Sequence, residues 1–163
     1  MDNQKAYYNE KGCLIAPNIA TLEPYVGTTI GSTEWLEITQ DRINKFAEAT
    51  LDFQWIHLDA ERAERESPFG RTVAHGLLSL SLLPYFTYQL LKVESAKLSV
   101  NYGYNKIRFM SPVLSGHKIR LTLVLKSIER EAKGVKLIAE KTIEIEGVAK
   151  PACIAESVSM IIE

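Results

Sequence analysis

The chain has few of the residues that mark secreted or metal-binding proteins. Only two of its 163 residues are cysteines, Cys13 and Cys153, and their wide separation fits neither a metal-ligand pattern nor a disulfide framework. Such sparse use of cysteine is typical of a protein kept in a reducing compartment, so we expect a cytoplasmic location. The first twelve residues also lack the basic and then apolar segments of a secretory signal, and none is expected.

The sequence also lacks any apolar run long enough to span a bilayer. The most apolar segment, residues 77–91, is interrupted by Pro84 and by serine, threonine and glutamine residues. The formal net charge is −1, so no overall positive charge attracts nucleic acid or an anionic membrane. Neither a P-loop, a G-x-G-x-x-G loop nor a Cys/His cluster occurs. We therefore expect no nucleic-acid or membrane partner, no metal and no nucleotide cofactor.

What remains has the size and composition of one soluble domain over residues 1–163. Apolar residues make up 46% and charged residues 24% of the chain, which is ordinary for a globular protein. A chain of this length buries about two-thirds of its unfolded surface on folding. Residues 1–27, punctuated by Pro17, Pro24 and Gly27, are expected to form an N-terminal extension on the domain surface, partly tied down.

The middle of the chain is predicted to be helical. Thr39 is a suitable N-cap for an amphipathic helix that we expect to fray near Thr50. Residues 59–66 are charged almost throughout and predict a short exposed helix. Residues 76–92 are apolar around nearly the whole helical circumference, so this helix must be wrapped by protein, with a kink at Pro84.

The rest of the chain is predicted to form strands, because apolar and polar residues alternate or β-forming residues are frequent. The predicted strands cover residues 31–38, 98–109, 118–128, 135–146 and 151–162, with a hairpin at residues 129–134. One wrapped helix followed by several long strands is an α+β layering. We therefore expect a curved antiparallel β-sheet around a central apolar α-helix.

Asp52 and His57 are the candidate catalytic pair. They lie five residues apart, on a stretch too irregular to be one uninterrupted helix. A carboxylate and an imidazole that converge on one water form an acid–base pair, because histidine holds or releases a proton near neutral pH. The spacing alone also allows a structural role, in which both side chains only cap backbone groups.

The residues around this pair carry a recognisable motif. The pattern A-x-x-x-x-D-x-x-x-I-H-x-D covers residues 47–59, and F-G-x-x-x-A-H-G covers residues 69–76. Together they resemble the hydratase motif of the MaoC-like family, which includes the R-specific enoyl-CoA hydratases. The later segment NYGYNKIRFMSPVLSG is similar to the subgroup related to nodulation protein N. One departure is that Gln54 and Trp55 stand where the family usually has Asn-Pro.

The resemblance implies a hot-dog fold and a homodimer, or an oligomer built from dimers, whose sheets join edge to edge. It implies a hydro-lyase of fatty acid metabolism that interconverts trans-2-enoyl and R-3-hydroxyacyl thioesters. The acyl group would be carried by CoA or by acyl carrier protein, so this carrier is part of the substrate rather than a cofactor. Asp52 and His57 would hold the water that adds to the double bond.

Three further residues are candidates for the site. Backbone N–H groups near Gly76, at the start of the central helix, suit a thioester carbonyl that becomes an enolate. Alternatively, Gly76 only permits a tight start of the helix. Ser81 stands where relatives carry a serine near the catalytic aspartate; it either orients Asp52 or the water, or bonds to its own helix. Arg108 either contacts substrate phosphates or is a solvated strand residue.

The other two histidines are given no catalytic role. His75 is expected to cap or pack beside the site, and His117 to be exposed in a turn. Two alternatives to a hydratase stay open at this stage. The domain could bind acyl thioesters without catalysis, or it could be a thioesterase, which the sequence favours less because no separate nucleophile is evident.

Overall fold

The computed structural model describes residues 7–163, in which the helices mostly precede the long strands. The helices are α1 (Gln40–Thr50), α2 (Trp55–Leu58), α3 (Ala60–Glu66), α4 (Gly76–Ser81) and α5 (Leu83–Leu90), with a 3-10 helix at Ile19–Tyr25. The strands are β1 (Leu14–Ala16), β2 (Thr29–Ser32), β3 (Leu36–Glu37), β4 (Leu91–Val93), β5 (Leu98–Phe109), β6 (Lys118–Glu131), β7 (Gly134–Ile145) and β8 (Val148–Ile162).

Six strands form one antiparallel sheet around the central helices. The order is β2-β6-β7-β8-β5, and β3 pairs with β6 beyond the end of β2. Helix α4 packs on β8 and helix α5 on β6. The largest fully buried side chains lie between these layers and beside them: Phe86, Leu14, Ile19, Leu22, Ile38, Ile43, Leu83, Ile119, Leu121, Leu123, Leu125 and Ile143. This arrangement confirms the predicted α+β class and is a hot-dog fold.

Capping side chains fix the start of α1 and of α3, the helices on either side of residues 52–57, and the cap at Thr39 was predicted. The Thr39 hydroxyl accepts a hydrogen bond from the backbone N–H of Arg42 at 3.2 Å and begins α1. The Asp59 carboxylate accepts from the N–H of Arg62 at 2.9 Å and begins α3. Helix α1 ends at Leu51, which adopts a left-handed conformation with φ of 60°.

The predicted central helix over residues 76–92 is confirmed with a break near Pro84, but it is not wrapped on every side. The segment forms two helices that meet at Leu82, and the chain turns into β4 at Leu91. Pro84 lies in the first turn of α5, where its missing N–H breaks no helical hydrogen bond. One face of the central helices is open to solvent, since Leu77 on α4 is 58% exposed. No helix within residues 7–163 is long and apolar enough to cross a membrane.

The N-terminal segment is also more integrated than predicted. Residues 1–6 lie outside the described part of the chain, but Leu14, Ile19 and Leu22 are fully buried. Strand β1 pairs in parallel with β4, so the segment joins the core instead of lying on its surface. The predicted strand at residues 31–38 is two short strands, β2 and β3, because the chain leaves the edge of β6 between them.

Strand β7 carries a lysine on the face of the sheet that packs against the helices. Lys141 is only 6% exposed, and the strand register places Leu123 and Ala155 beside it. The described residues supply no hydrogen bond or ion pair to this ammonium group. Burial lowers the pKa of Lys141 to about 8.

The pH dependence of stability should report this buried lysine. The unfolded chain, with a lysine pKa of about 10.4, binds the proton between about pH 8 and pH 10.4 and the folded protein does not, so stability rises with pH there. Lys141→Met keeps the side-chain length and removes the charge. It is expected to raise the free energy of unfolding at pH 7 by up to about 3 kcal/mol, with a smaller gain near pH 10.

Urea unfolding at pH 7, 8.5 and 10 checks this expectation, with Lys150→Met as a control at an exposed position. If the stability of the wild type and of Lys141→Met changed in parallel over this range, the assignment of the titration to Lys141 would be wrong.

Candidate active site

The end of α1 and the single turn of α2 place Asp52 and His57 close together. Asp52 follows the left-handed Leu51 and begins a loop, in which the N–H of Gln54 donates to Asp52 Oδ1 at 3.4 Å. His57 lies in α2. The Asp52 side chain is 54% exposed, whereas His57 is 7% exposed. The pair therefore combines a carboxylate in contact with solvent and an imidazole within the protein.

One ring nitrogen of His57 is committed to the backbone. His57 Nδ1 lies 2.7 Å from the carbonyl oxygen of Val73. A carbonyl oxygen only accepts, so Nδ1 carries the hydrogen and Nε2 has a free lone pair in the neutral ring. Burial lowers the pKa of His57; the bond to Val73 raises it, His75 lowers it further and Asp52 raises it. His57 is thus held as a neutral base.

His75 belongs to the same cluster. Its ring stacks on His57 with the ring centres 3.7 Å apart and the planes at 23°. His75 Nε2 lies 3.1 Å from the backbone oxygen of Asp52 and 3.9 Å from Asp52 Oδ2. The ring of Phe46 packs on its other side at 5.0 Å. The expectation that His75 packs beside the site is confirmed, and it also fixes the loop that carries Asp52.

The three side chains could serve acid–base chemistry or hold a metal ion. Their ligand atoms all lie within 4.8 Å of one another. However, His75 Nε2 carries the hydrogen that it donates to the Asp52 carbonyl, so this nitrogen has no lone pair for a metal while that bond persists. His75 Nδ1 is buried and has no hydrogen-bond partner among the described residues. The hydrogen bonds therefore favour acid–base chemistry.

Gly76 lines a cavity of about 270 Å³ together with Ser79 and Phe109; Asp52, His57 and His75 are not in its lining, but Ala74 and Gly76, which flank His75 in the chain, are. A Cβ atom on Gly76 would lie only 3.0 Å from the Phe109 ring, so no larger residue fits without displacing it. The first N–H groups of a helix have no partner within that helix, and Gly76 is the first residue of α4. Both interpretations of Gly76 thus agree with the geometry: it allows close packing and can offer a donor.

The structure does not bring Ser81 to the acid–base pair. Ser81 is exposed at the end of α4, although we expected a core-facing hydroxyl, and no hydrogen bond of the described residues links it to Asp52. Ser79 is buried and lines the cavity instead. Helical spacing could have identified Ser79, because it lies three residues after Gly76 and hence on the same face.

Three other residues that the sequence singled out have these surroundings. Arg108 is exposed on β5, and its Nη1 donates to the carbonyl of Ile107 at 3.0 Å, so its contact with phosphate stays a prediction. Trp55 begins α2, and the Arg62 guanidinium lies over its ring at 4.2 Å. His117 was expected to be exposed; this was wrong, since it is half-buried and its Nδ1 is enclosed.

Comparisons with known proteins agree with the family resemblance. The profile of the family described as MaoC like domain matches residues 22–147. The chain is 46% identical over 142 residues to 3-hydroxyacyl-thioester dehydratase Z of Mycobacterium tuberculosis, covering 86% of this chain and 93% of that protein. It is 39% identical over 146 residues to nodulation protein N of Rhizobium leguminosarum bv. viciae, covering 88% and 91%.

A solved structure shares the fold. The (R)-hydratase from A. caviae involved in PHA biosynthesis superposes with a TM-score of 0.69 and is 25% identical, covering 84% of this chain and 96% of that chain. The resemblance seen in the motifs around Asp52 and His57 is thus confirmed by the family profile, by relatives that match most of the chain and by a shared fold. The chain belongs to the family of MaoC-like domains.

Proposed function

We propose that the protein is a hydro-lyase that reversibly hydrates trans-2-enoyl thioesters to R-3-hydroxyacyl thioesters. The observation that carries this proposal is the cluster of Asp52, His57 and His75, whose ligand atoms lie within 4.8 Å of one another, together with the Nε2 lone pair of buried His57, which the bond from Nδ1 to Val73 leaves free. The names of the dehydratase and hydratase relatives support the reaction class. The acyl group is carried by CoA or by acyl carrier protein, and the reaction uses no metal or separate cofactor.

We assign the steps of the reaction to the two residues as follows. In hydration, His57 Nε2 takes a proton from a water that also donates a hydrogen bond to Asp52, and the water oxygen bonds to the β-carbon. The C=C π electrons move toward the carbonyl, giving an enolate. The imidazolium of His57 then returns a proton to the α-carbon, which restores the thioester and the neutral base. Because one group serves both steps, addition is syn.

Residues at the start of α4 and on β5 complete the proposed site. The N–H of Gly76 donates to the thioester oxygen as it becomes an enolate. Arg108, exposed one residue before cavity-lining Phe109, contacts the phosphates of the carrier. Ser81 makes no hydrogen bond to Asp52 among the described residues. We therefore propose that the buried hydroxyl of Ser79, which lines the cavity, is the serine of the site.

Hydration of crotonyl-CoA tests the function through the loss of its ultraviolet absorbance. Asp52→Asn and His57→Ala are each expected to lower kcat/KM about 10²- to 10⁴-fold, since a positioned acid or base contributes this much. The two losses should not multiply in the double variant, because both residues act on one water. Glu48→Gln, an exposed change on α1, serves as the matched control.

Near-normal hydration by both single variants would rule out the proposed pair. Release of free thiol without hydration would indicate a thioesterase. Chiral chromatography of the product should give the R isomer, and reaction in deuterated water should place deuterium and hydroxyl on the same side. Deuterium and hydroxyl on opposite sides would contradict the proposal that His57 both takes the proton from water and returns it to the α-carbon.

The pH dependence of hydration should follow the proton on His57. The neutral ring is the active form, and burial holds its pKa below the ordinary value of 6.5. We therefore expect kcat/KM to fall only below pH 6.5. His75→Gln should move this acid limb to higher pH and Asp52→Asn to lower pH, because His75 lowers the pKa of His57 and Asp52 raises it. Shifts of the same sign in both variants would exclude these contacts as the cause.

We also propose that the protein is a homodimer joined through β5. This strand is last in the sheet and pairs only with β8 among the described residues, so one edge of its backbone is free. Apolar side chains are exposed along it, including Tyr102 at 64%. The open face of the central helices carries Leu77, Tyr85 and Tyr88, all exposed. Exposed large apolar residues on an edge strand and on an open helix face support an interface there.

Sedimentation at micromolar concentration is expected to show a dimer. Tyr102→Glu should shift the population toward monomer, because it places a charge within the joined surface. Val148→Glu, an exposed apolar residue on β8, is the control and should stay dimeric. A wild-type monomer would contradict the proposed interface.

A further inference from the structure

The side chain of Gln40, the first residue of α1, joins this helix to two other parts of the chain. Its Nε2 donates hydrogen bonds to the carbonyl oxygen of His57 and to Asn44 Oδ1, both at 2.8 Å. Its Oε1 accepts from the hydroxyl of Thr72 at 2.6 Å. A carbonyl oxygen can only accept, so the amide nitrogen faces His57 and the amide oxygen faces Thr72. Both amide hydrogens and the amide oxygen of Gln40 are therefore in use.

Gln40 joins the same two segments that the ring of His57 joins. One end of its amide is bonded to the backbone of His57 in α2. The other end is bonded to Thr72, one residue before Val73, whose carbonyl oxygen lies 2.7 Å from His57 Nδ1. Thr72 and His57 are buried, so water offers them few other partners. These bonds and the chain between them form a closed loop, in which Gln40 sets the separation of His57 from Val73.

This separation decides which nitrogen of His57 is a base. A neutral imidazole carries its hydrogen on either Nδ1 or Nε2. While the Val73 carbonyl lies within hydrogen-bond distance, the Nδ1–H form is favoured and the Nε2 lone pair is free. If the carbonyl moved away, this preference would be lost, and a ring with its hydrogen on Nε2 cannot take a proton from water there. The correct distance is therefore a condition for the chemistry.

We propose that Gln40 is a positioning residue for the hydration, which holds His57 and Val73 at the distance that keeps the ring hydrogen on Nδ1. This inference rests on the proposed function, in which His57 Nε2 is the base. Gln40 acts through the two segments that it joins and not on the substrate. If Gln40 only attached α1 to the rest of the domain, its loss would lower stability and leave the tautomer of His57 unchanged.

Nitrogen-15 NMR of the histidine rings tests the proposal directly, because protonated and unprotonated ring nitrogens have well-separated signals. At about pH 8, above the ordinary histidine pKa of about 6.5, the rings are neutral. The signals of His57 are those that disappear in His57→Ala, and in wild type they should show the Nδ1–H form. Gln40→Met keeps the side-chain length without the hydrogen bonds, and it should give a mixture with the Nε2–H form.

Hydration of crotonyl-CoA supplies a second measurement. Gln40→Met is expected to lower kcat about tenfold to hundredfold, because a displacement of about 1 Å can cost about 10²-fold in rate. KM should change little, since Gln40 does not contact the substrate. Added to His57→Ala, Gln40→Met should cause no further loss, because both changes act through the same base.

Two more variants separate the joining role from a general effect on α1. Thr72→Val removes the hydroxyl at the other end of the bridge and keeps the side-chain shape, so it should change the tautomer and kcat in the same direction as Gln40→Met. Asn44→Ala removes only the bond within α1 and leaves both ends of the bridge in place. It should keep the Nδ1–H form and a kcat near that of wild type. Urea unfolding checks that each variant is folded.

Several outcomes would overturn the proposal. A pure Nδ1–H ring in folded Gln40→Met and Thr72→Val would show that the bridge does not set the tautomer. Losses that multiply in Gln40→Met/His57→Ala would place the effect of Gln40 elsewhere than His57. An Asn44→Ala variant as slow as Gln40→Met would trace the effect to α1. Because the ring spectrum does not depend on turnover, it tests the bridge even in a protein that fails to hydrate crotonyl-CoA.

Discussion

The candidate active site depends on the backbone of one buried residue, Val73. Its carbonyl accepts the hydrogen of His57 Nδ1 at 2.7 Å, and its N–H donates to the carbonyl of Ile56 at 3.0 Å. On the next residue, the N–H of Ala74 donates to Val113 at 2.7 Å. This extended segment therefore ties α2 to the chain that leads into β6. It also decides which nitrogen of His57 can act as a base, because a carbonyl oxygen cannot donate. These bonds are made by backbone groups, so they do not depend on the identity of the side chain at residue 73.

The two histidines and the carboxylate differ in their access to water, and this difference shapes their electrostatics. The His57 and His75 rings are buried and stacked with their centres 3.7 Å apart, so a positive charge on His75 disfavours protonation of His57. Asp52 acts on His57 in the opposite direction, and its half-exposed side chain weakens that effect through screening by solvent. Burial is the largest cause of the lowered pKa of His57. Burial thus keeps the His57 ring neutral, while the Asp52 carboxylate stays accessible to solvent.

Local signals predicted most of the fold, and long-range pairing accounts for the rest. The Thr39 and Asp59 caps and the alternation along β6 and β7 depend on residues close in sequence, and each element appeared where it was expected. The parallel pairing of β1 with β4 joins segments far apart in the chain, so no local pattern revealed it. In the site, spacing placed Asp52 and His57 on one short stretch, but only the family resemblance favoured catalysis. The choice of Ser81 over Ser79 followed that resemblance and overlooked helical periodicity.

Strand β5 connects the active site with the surface of the molecule. Its last residue, Phe109, places a ring against Gly76, so the strand forms one side of the cavity beside the acid–base cluster. Among residues 7–163, its backbone pairs with β8 alone. Register shifts interrupt this pairing near Gly103 and between Tyr104 and Lys106, where the strand is held least regularly. A partner bonded to the free edge would hold β5 from both sides, and so would hold Phe109 in place over Gly76. The packing of Phe109 against Gly76 is therefore linked, through one strand, to the free edge of the sheet.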